Sequence, residues 1–470
     1  MPLTVISNEQ LRSLLLSLTR DEVLQLQKNL AQALREYSTG NQDKGCSATY
    51  QPQRTAITRK DGSSTIFMPA STGSTMGIKI ISLQSGGKAG CSTGSGTRGK
   101  DSRVRFAPDT SPKGSRSSIS SDMSRLSISS QEDSEGLNVP SASVNNRPLS
   151  PVLTSSSPKP SSGLSATSGA WPGAGTRDTS PPGSVTLLDS DSIPFGIIRA
   201  QELTAFRTAL ASLMLFNRRK KAKTITVFGA GKQAYWHIRL ALVLRDDIKH
   251  VYIINRSFDR AAKLLKDIYD PENTSWRRNV KFSAFSSDFV ESERLLKEAV
   301  RKADAIFCCT PSTSPLFPAE FLTSGEGRRK GRLICAIGSY KPHMAELHPD
   351  ILRDEVTPHR SSHHHHKHVR RSGVIVVDTL DASLQEAGEI IQAGVTPQQL
   401  VELGELVMVR EAARLAMEQG GDEEKGLLEW IESGNVIFKG VGLGLMDLVT
   451  GGDLVKLAQE RGIGTTVKDF

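Results

Sequence analysis

The chain has 470 residues, more than one typical domain, and a formal net charge of +9 at pH 7. Its basic residues are largely interspersed with acidic ones, and it has no zinc-finger spacing or RNA-binding aromatic motif, which argues against nucleic-acid binding. There is no apolar run of the roughly 18 residues that a membrane span needs, no secretory signal, and no disulfide framework among the five cysteines. We therefore expect a cytoplasmic protein that does not enter membranes.

The first 83 residues predict an α+β region. Capping boxes at Ser7-Asn-Glu-Gln10 and Thr19-Arg-Asp-Glu22 begin two helices, the second of which should end at Gly40. Strand-like runs follow over 50–58, 64–70 and 76–83, separated by glycine-containing turns. The pattern indicates a small mixed domain that begins with helices and continues as a sheet.

Residues 84–182 are dominated by Ser, Gly, Pro and Thr and have almost no aromatic residues. Such a segment cannot bury enough apolar surface to offset its chain entropy, so it is predicted to be disordered. Strand patterns resume at 185–189 and 195–199, before a helix over about 202–217. The insert should therefore lie between two strands of one sheet, which is tolerable because the entropy of loop closure grows slowly with length. Its Ser-Pro pairs leave proline-directed phosphorylation open.

From Thr224 onward, strand-like and helical runs alternate, which predicts a doubly wound parallel sheet. The predicted strands cover 224–228, 251–255, 281–285, 305–310, 333–338 and 374–378. The cluster His363–His366 with His368 falls in a polar loop, 358–372, and lacks the fixed spacing of a functional metal site, so no metal is predicted. Residues 435–470 should pack back on the first domain.

The segment from Thr224 to Ala234 predicts a dinucleotide-binding turn. Gly229, Ala230 and Gly231 let the backbone turn tightly and approach a pyrophosphate, and the small Ala234 lets the next helix pack on the strand. That helix begins near Gln233 and directs the positive end of its dipole at the phosphates.

The end of the second strand, Asn255-Arg256-Ser257, indicates which dinucleotide binds. NAD sites normally place an Asp or Glu here for the ribose hydroxyls. A carboxylate would repel a 2′-phosphate, whereas the Arg256 guanidinium can bind it, with Asn255 and Ser257 adding hydrogen bonds. NADP(H) is therefore favoured over NAD(H), unless Arg256 is a solvated residue at the start of the helix.

Several short segments, in order and spacing, resemble the ornithine cyclodeaminase and mu-crystallin family over the chain outside its two low-complexity insertions. The segments are Gln51–Thr55, Phe67–Ala70, Gly77–Lys79, Glu202–Thr208, the Gly229 turn, Ala336–Ser339 with Glu346-Leu347, and Phe438–Gly442 before Asp447. The resemblance implies a dinucleotide-binding domain joined to a smaller α/β domain that carries substrate-facing residues and forms a homodimer. It divides the chain into a substrate domain, 1–83 and 183–217, the insert, 84–182, a Rossmann domain, 218–434, and a C-terminal segment, 435–470.

The resemblance also assigns site residues. Arg54 and Lys79 would face the carboxylate of a small amino or imino acid, with Arg54 suited to bidentate contact and Lys79 to proton transfer at a lowered pKa. Arg207 would lie near both the cofactor phosphate and the substrate carboxylate, and Thr208 and Thr310 complete the cofactor contacts. All three cations could instead be surface charges.

Departures from the family pattern bear on the reaction. Cyclodeaminases have an aspartate after the glycines of the fifth strand and a glutamate before the Leu-Met-Pro-type segment, where this chain has Tyr340 and Ile66. A further departure is Gly440, where many relatives have Ser. The Arg54-Thr55 sequence, the Met68–Ala70 segment and the Asn255-Arg256 strand end look closer to the mu-crystallin, ketimine-reductase branch, which predicts an NADP(H)-dependent oxidoreductase of C=N or CH–NH bonds. A cyclodeaminase, an amino-acid dehydrogenase and a catalytically silent NADP(H)-binding protein remain alternatives.

Overall fold

A computed structural model of the chain describes residues 2–40, 51–83, 181–287, 292–357, 373–419 and 425–470. The predicted insert 84–182, except for its last two residues, and the whole of the His-rich loop 358–372 lie outside the described residues. Secondary-structure elements are numbered below in chain order. Within the described part of the chain, no helix is long and apolar enough to cross a membrane.

The first sheet has seven strands in the order β15-β1-β6-β5-β4-β3-β2. Its neighbours are antiparallel except for the parallel pair of β1 and β6. The strands are β1 Leu3–Ile6, β2 Thr55–Thr58, β3 Ser64–Ser71, β4 Met76–Leu83, β5 Gly183–Leu188, β6 Pro194–Arg199 and β15 Thr465–Val467. Neither β1 nor β15 was predicted, because each has only three or four residues and pairs with segments far away in the sequence.

The two strands that flank the insert lie side by side. Strands β4 and β5 are antiparallel neighbours, with Ile81 opposite Gly183, and the backbone N–H of Ser82 donates to the carbonyl of Pro182 at 2.9 Å. The prediction that the insert joins two strands of one sheet is therefore confirmed.

The second sheet has eight parallel strands in the order β13-β12-β14-β11-β10-β7-β8-β9. The strands are β7 Thr224–Phe228, β8 His250–Asn255, β9 Lys281–Ser286, β10 Ala305–Cys308, β11 Leu333–Ala336, β12 Ile375–Val377, β13 Leu400–Glu402 and β14 Val436–Lys439. The helices among them are α4 Lys232–Leu244, α5 Phe258–Ile268, α6 Thr274–Arg277, α7 Ser292–Lys302, α8 Glu320–Thr323, α9 Pro349–Val356, α10 Leu380–Glu386, α11 Gly388–Ala393, α12 Leu403–Glu418 and α13 Lys425–Ser433. The predicted fold class, a Rossmann-type doubly wound sheet with a smaller α+β part, is confirmed.

Four further helices pack against the first sheet and against each other: α1 Asn8–Leu16, α2 Arg20–Thr39, α3 Ala200–Phe216 and α14 Gly444–Glu460. Both predicted capping boxes are present, and Gly40 caps the end of α2. Helix α3 is buried along almost its whole length because it contacts α4, α2 and α14. One apolar core thus runs from the inner face of the first sheet through α3 to the second sheet, whose far face has a separate core.

The expected C-terminal segment 435–470 needs one correction. Its helix α14 packs on α2, α3 and the first sheet as expected, but its strand β14 pairs with β11 and β12 in the second sheet. The four residues of β14 are all buried, and all but Lys439 are apolar. This composition suits a central position in a parallel sheet. The chain therefore crosses back to the first sheet only after β14.

Candidate active site

The dinucleotide-type turn has the backbone that the sequence predicts. Gly229 has φ +111°, and a Cβ there would lie 2.8 Å from the carbonyl oxygen of Cys309, so only glycine fits. Gly231 precedes α4, and a Cβ built on it would meet nothing within 4 Å. Ala234 is fully buried beneath the turn. A close approach by a phosphate at the N-terminus of α4 is therefore sterically possible.

A buried carboxylate that the sequence analysis missed supports this turn. Glu202 on α3 accepts a hydrogen bond from Nε1 of Trp236 at 2.8 Å and pairs with Lys232 Nζ at 3.0 Å. Nε2 of Gln233 lies 3.5 Å from the carbonyl oxygen of Thr204, also on α3. The first turn of α4 is thus tied to α3, the helix that carries Arg207 and the half-buried Thr208.

The end of β8 leaves a cationic side chain open to solvent. Asn255 donates from Nδ2 to the carbonyl of Ser257 at 2.8 Å, and Ser286 donates to the carbonyl of Arg256 at 2.7 Å. Arg256 is exposed, and no carboxylate among the described residues pairs with its guanidinium. The segment is fixed through its backbone while the charge of Arg256 stays accessible.

Glu346 joins the ends of β10 and β11. Its carboxylate accepts from the backbone N–H of Thr310 at 2.6 Å, from the Thr310 hydroxyl at 3.1 Å, and from the N–H groups of Gly338 and Ser339 at 2.7 and 3.3 Å. The strands predicted over 305–310 and 333–338 accordingly end at 308 and 336, because these N–H groups donate to Glu346 instead of a neighbouring strand. Thr310 also lies 3.3 Å from the Cβ position of Gly229, so the residue that Glu346 holds is in contact with the dinucleotide-type turn.

Glu346 is part of a fully buried charged cluster. Glu389 accepts from the Glu346 backbone N–H at 2.7 Å and pairs with Lys439 Nζ at 3.1 Å, and Lys439 donates to the Ser339 carbonyl at 2.6 Å. Burial raises the pKa of Glu346 to about 7, opposed by the positive charge of Lys439. Glu346 was quoted only as part of a family-like segment, and its four donors could not be inferred without the fold.

A second buried cluster consists of Lys79, Arg207 and Asp447, which come from three different elements. Lys79 of β4 donates from Nζ to both carboxylate oxygens of Asp447 on α14, at 3.0 and 3.1 Å, and Arg207 Nε of α3 lies 3.4 Å from the same carboxylate. All three side chains are buried. Burial lowers the pKa of Lys79 to about 8, although Asp447 opposes the shift. Lys79 and Arg207 are thus not surface charges.

Arg54 lies in the segment before β2 and forms an ion pair with Glu386, the last residue of α10. Both side chains are about one quarter exposed. Burial lowers the pKa of Arg54, and the charge of Asp378 opposes that shift. The pair therefore connects the edge of the first sheet with the helix that follows β12.

Asp378 fixes the turn that contacts Arg207. It accepts from the N–H groups of Val441, at 3.1 Å to each oxygen, and of Gly442 at 2.7 Å. Gly442 has φ +94°, and a Cβ there would lie 3.0 Å from Nη2 of Arg207. A Cβ on Gly440 would meet atoms no nearer than 3.4 Å, so the missing serine leaves no steric defect. Neither Asp378 nor Glu386 was predicted as a site residue, because their partners are set by tertiary packing.

The two positions that lack carboxylates carry other chemistry. In the antiparallel ladder Ile66 is opposite Ile81 and Met68 is opposite Lys79, so Ile66 is on the same face of the sheet as Lys79. Tyr340 is half-buried, and burial raises its pKa. Among the described residues, no group of three or more His, Cys, Asp or Glu side chains is placed to hold a metal ion.

Comparisons with known proteins show which sequences the chain resembles. Residues 184–402 match the sequence model of the ornithine cyclodeaminase/mu-crystallin family. The chain is similar to a Delta(1)-pyrroline-2-carboxylate reductase of Bacillus cereus, with 27% identity over 58% of this chain and 70% of that protein. It is also similar to the ketimine reductase mu-crystallin of Mus musculus, with 25% identity over 57% of this chain and 66% of that protein.

Solved structures show the same fold. A Thermococcus litoralis Delta(1)-pyrroline-2-carboxylate reductase in complex with NADH and L-proline superposes with a TM-score of 0.55 at 17% identity, over 98% of this chain and 99% of that one. An archaeal alanine dehydrogenase dimer with bound NAD gives a TM-score of 0.57 at 16% identity and full coverage of both chains.

The fold and the site define an α/β protein with a dinucleotide-type turn on one sheet and a buried cluster of cations against the other. Over residues 184–402 the chain is similar to the ornithine cyclodeaminase/mu-crystallin family.

Proposed function

We propose that the protein is an NADP(H)-dependent oxidoreductase that reduces the C=N bond of a small cyclic imino acid, such as pyrroline- or piperideine-2-carboxylate. The observation that carries this proposal is the convergence of Lys79, Arg207 and Asp447 from three separate elements. Guanidinium and ammonium groups of this kind bind a carboxylate. The likeness to reductases of pyrroline-2-carboxylate and ketimines supports the same chemistry.

The residues around Gly229 fit a nicotinamide dinucleotide. The φ of Gly229, the open position at Gly231 and the free approach to α4 are what a pyrophosphate needs. The cofactor, when bound, supplies a hydride to the imine carbon. Gly229, Ala230, Gly231, Gln233 and Ala234 would hold the phosphates, with Thr208 and Thr310 beside them.

The chain's own residues bind the substrate and move the proton. Arg54 and Arg207 would hold the substrate carboxylate and fix the ring, which places the imine nitrogen near Lys79. Lys79, with a pKa of about 8, is largely protonated at neutral pH and can still release its proton to the nitrogen during reduction. The negative charge of Asp447 stabilises the protonated form of the buried Lys79 and orients its ammonium group.

A preference for NADP(H) rests on Arg256. Its exposed guanidinium follows β8, the strand whose end contacts the adenosine ribose in dinucleotide-binding folds, and the neutral Asn255 stands where a carboxylate would select NAD. A 2′-phosphate would gain a charge-assisted hydrogen bond there, supported by Ser257.

A homodimer is proposed through the outer face of the first sheet. The described helices cover the inner face, while apolar side chains such as Ile78, Ile80 and Ile197 are partly exposed on the other side and Val5 is exposed. An apolar face of this kind is typical of an interface between protomers. The three described cysteines are free, which suits a reducing, cytoplasmic location.

The test is to mix purified protein with NADPH and a panel of cyclic ketimines and to follow the loss of nicotinamide absorbance. Turnover that falls by orders of magnitude in Lys79→Met is the expected result. Release of ammonia from ornithine or lysine would instead identify a cyclodeaminase, which Ile66 and Tyr340 disfavour because neither can hold an amine as a carboxylate does. Cofactor binding without reduction of any ketimine would identify a silent binding protein.

A further inference from the structure

Three cations and three carboxylates meet around the proposed substrate site. The cations are Arg54, Lys79 and Arg207, and the carboxylates are Asp378, Asp447 and Glu386. With all six groups ionised, the formal charges cancel. A substrate carboxylate entering this site therefore adds an anion to a set of cations that already have internal partners.

The three internal carboxylates differ in how firmly they are held. Asp447 is fully buried and receives two hydrogen bonds from Lys79, besides its contact with Arg207. Asp378 is 2% exposed and receives the backbone N–H groups of Val441 and Gly442. Neither can leave without stranding a buried charge or a buried N–H group, which is strongly unfavourable.

Glu386 is different. Its side chain is one quarter exposed, it ends a seven-residue helix, and the Arg54 guanidinium is its partner among the described residues. If the pair separates, the Glu386 carboxylate can turn to water, because its side chain already reaches the solvent and no backbone N–H among the described residues donates to it. Of the three carboxylates, Glu386 is the one that a ligand can displace.

We infer that Glu386 is a specificity-determining residue that occupies the carboxylate-binding face of Arg54 until the substrate carboxylate displaces it. This inference rests on the proposed function of Arg54. Arg54 precedes β2 of the first sheet, and Glu386 ends α10, the helix that follows β12 of the second sheet. The pair therefore also links the two sheets until the substrate enters. The site consequently selects ligands whose carboxylate competes for a planar guanidinium, and discriminates against neutral analogues.

The experiment compares ligand affinity in the wild type, Glu386→Gln and Glu386→Ala, with NADPH present and calorimetry as the readout. Pyrrole-2-carboxylate is the anionic probe and pyrrole-2-carboxamide the neutral one. We expect the Kd for the carboxylate to fall about twofold to fivefold in both variants, because the competing anion is gone. The Kd for the carboxamide should stay within twofold of the wild type.

The matched control is Glu418→Gln, which breaks the exposed pair with Arg414 on α12 and should leave both affinities unchanged. An unchanged Kd for the carboxylate in both Glu386 variants would overturn the inference, and a rise for the carboxylate alone would overturn it and show that Glu386 orients Arg54 productively. A parallel rise for both probes would mean that Glu386 only supports the fold. Failure of the proposed function is distinguishable, since then the wild type reduces no ketimine, whatever the binding titrations show.

Discussion

Lys79 and Asp447 form a buried two-point contact, with Nζ of Lys79 at 3.0 and 3.1 Å from the two carboxylate oxygens. The lysine comes from a strand of the first sheet and the aspartate from α14, 368 residues later in the chain. Burial disfavours the ammonium and Asp447 favours it, and the balance holds the pKa of Lys79 at about 8. Asp447 therefore controls the pH range over which Lys79 can act as an acid.

Asp447→Asn should shift the pH dependence of ketimine reduction to lower pH. If protonated Lys79 delivers the proton, kcat/KM in the wild type declines as pH rises through about 8. Without the Asp447 charge, burial acts unopposed, the pKa of Lys79 falls below 8, and the decline moves with it. Initial rates between pH 5.5 and 9.5 measure the shift.

Asp453→Asn is the control for that shift. Asp453 lies on the same helix, but its carboxylate accepts from Asn29 of α2 rather than from Lys79. This variant should keep the wild-type profile. A profile that also stays in place for Asp447→Asn would mean that a group other than Lys79 delivers the proton.

Glu346→Gln should weaken cofactor binding more than substrate binding. An amide in place of the carboxylate turns one acceptor into a donor, which faces the N–H of either Thr310 or Gly338. One buried donor loses its partner, at a cost of about 1–3 kcal/mol, and the strand ends beside Gly229 shift. We expect the Kd for NADPH, measured by fluorescence titration, to rise about tenfold.

The matched variant is Glu355→Gln, which changes another buried glutamate on α9 whose Oε2 accepts from Asn435. Both variants should lose stability in thermal unfolding, but only Glu346→Gln should lose affinity for NADPH. Equal cofactor affinities in the two variants would reduce Glu346 to a purely structural residue.

The sequence predicts those parts of the site that depend on local backbone, and it misses those that depend on tertiary contact. The Gly229 turn, the two capping boxes and the positions of most strands along the chain follow from spacing and residue type. Glu386 is far from Arg54 in the sequence, and Asp378 reaches the Gly442 turn only through the second sheet. No local pattern distinguishes these carboxylates from solvated ones. The expectation that all of 435–470 packs on the first domain is wrong for the same reason, because the partners of β14 in the second sheet, β11 and β12, are distant in the sequence.

Gly442→Ala should impair substrate binding as well as stability. The residue has φ +94°, a region that costs an alanine roughly 1–2 kcal/mol. Its new Cβ would also press on Nη2 of Arg207 at 3.0 Å. We expect a lower melting temperature and a rise in KM for the ketimine, with the KM for NADPH less affected.

Gly394→Ala separates the two effects. Gly394 also has a positive φ, +67°, but a Cβ there meets nothing within 4 Å. This control should lose stability through backbone strain alone and keep its KM for the ketimine. If both variants keep the wild-type KM, the Gly442 turn does not position Arg207.

Arg256→Asp should reverse the choice of cofactor. If the guanidinium binds the 2′-phosphate of NADPH, the new carboxylate replaces an attraction with a repulsion, and the preference for NADPH over NADH should fall by about a hundredfold, or ~3 kcal/mol. Affinity for NADH should change little or improve, because Asp can accept hydrogen bonds from the ribose hydroxyls. Lys263→Asp, an exposed change on α5, the helix that follows Arg256, controls for the general loss of positive charge. Titration of both cofactors into the three proteins decides the matter: equal affinities of the wild type for NADPH and NADH, or an unchanged NADPH affinity in Arg256→Asp, would show that Arg256 faces only solvent.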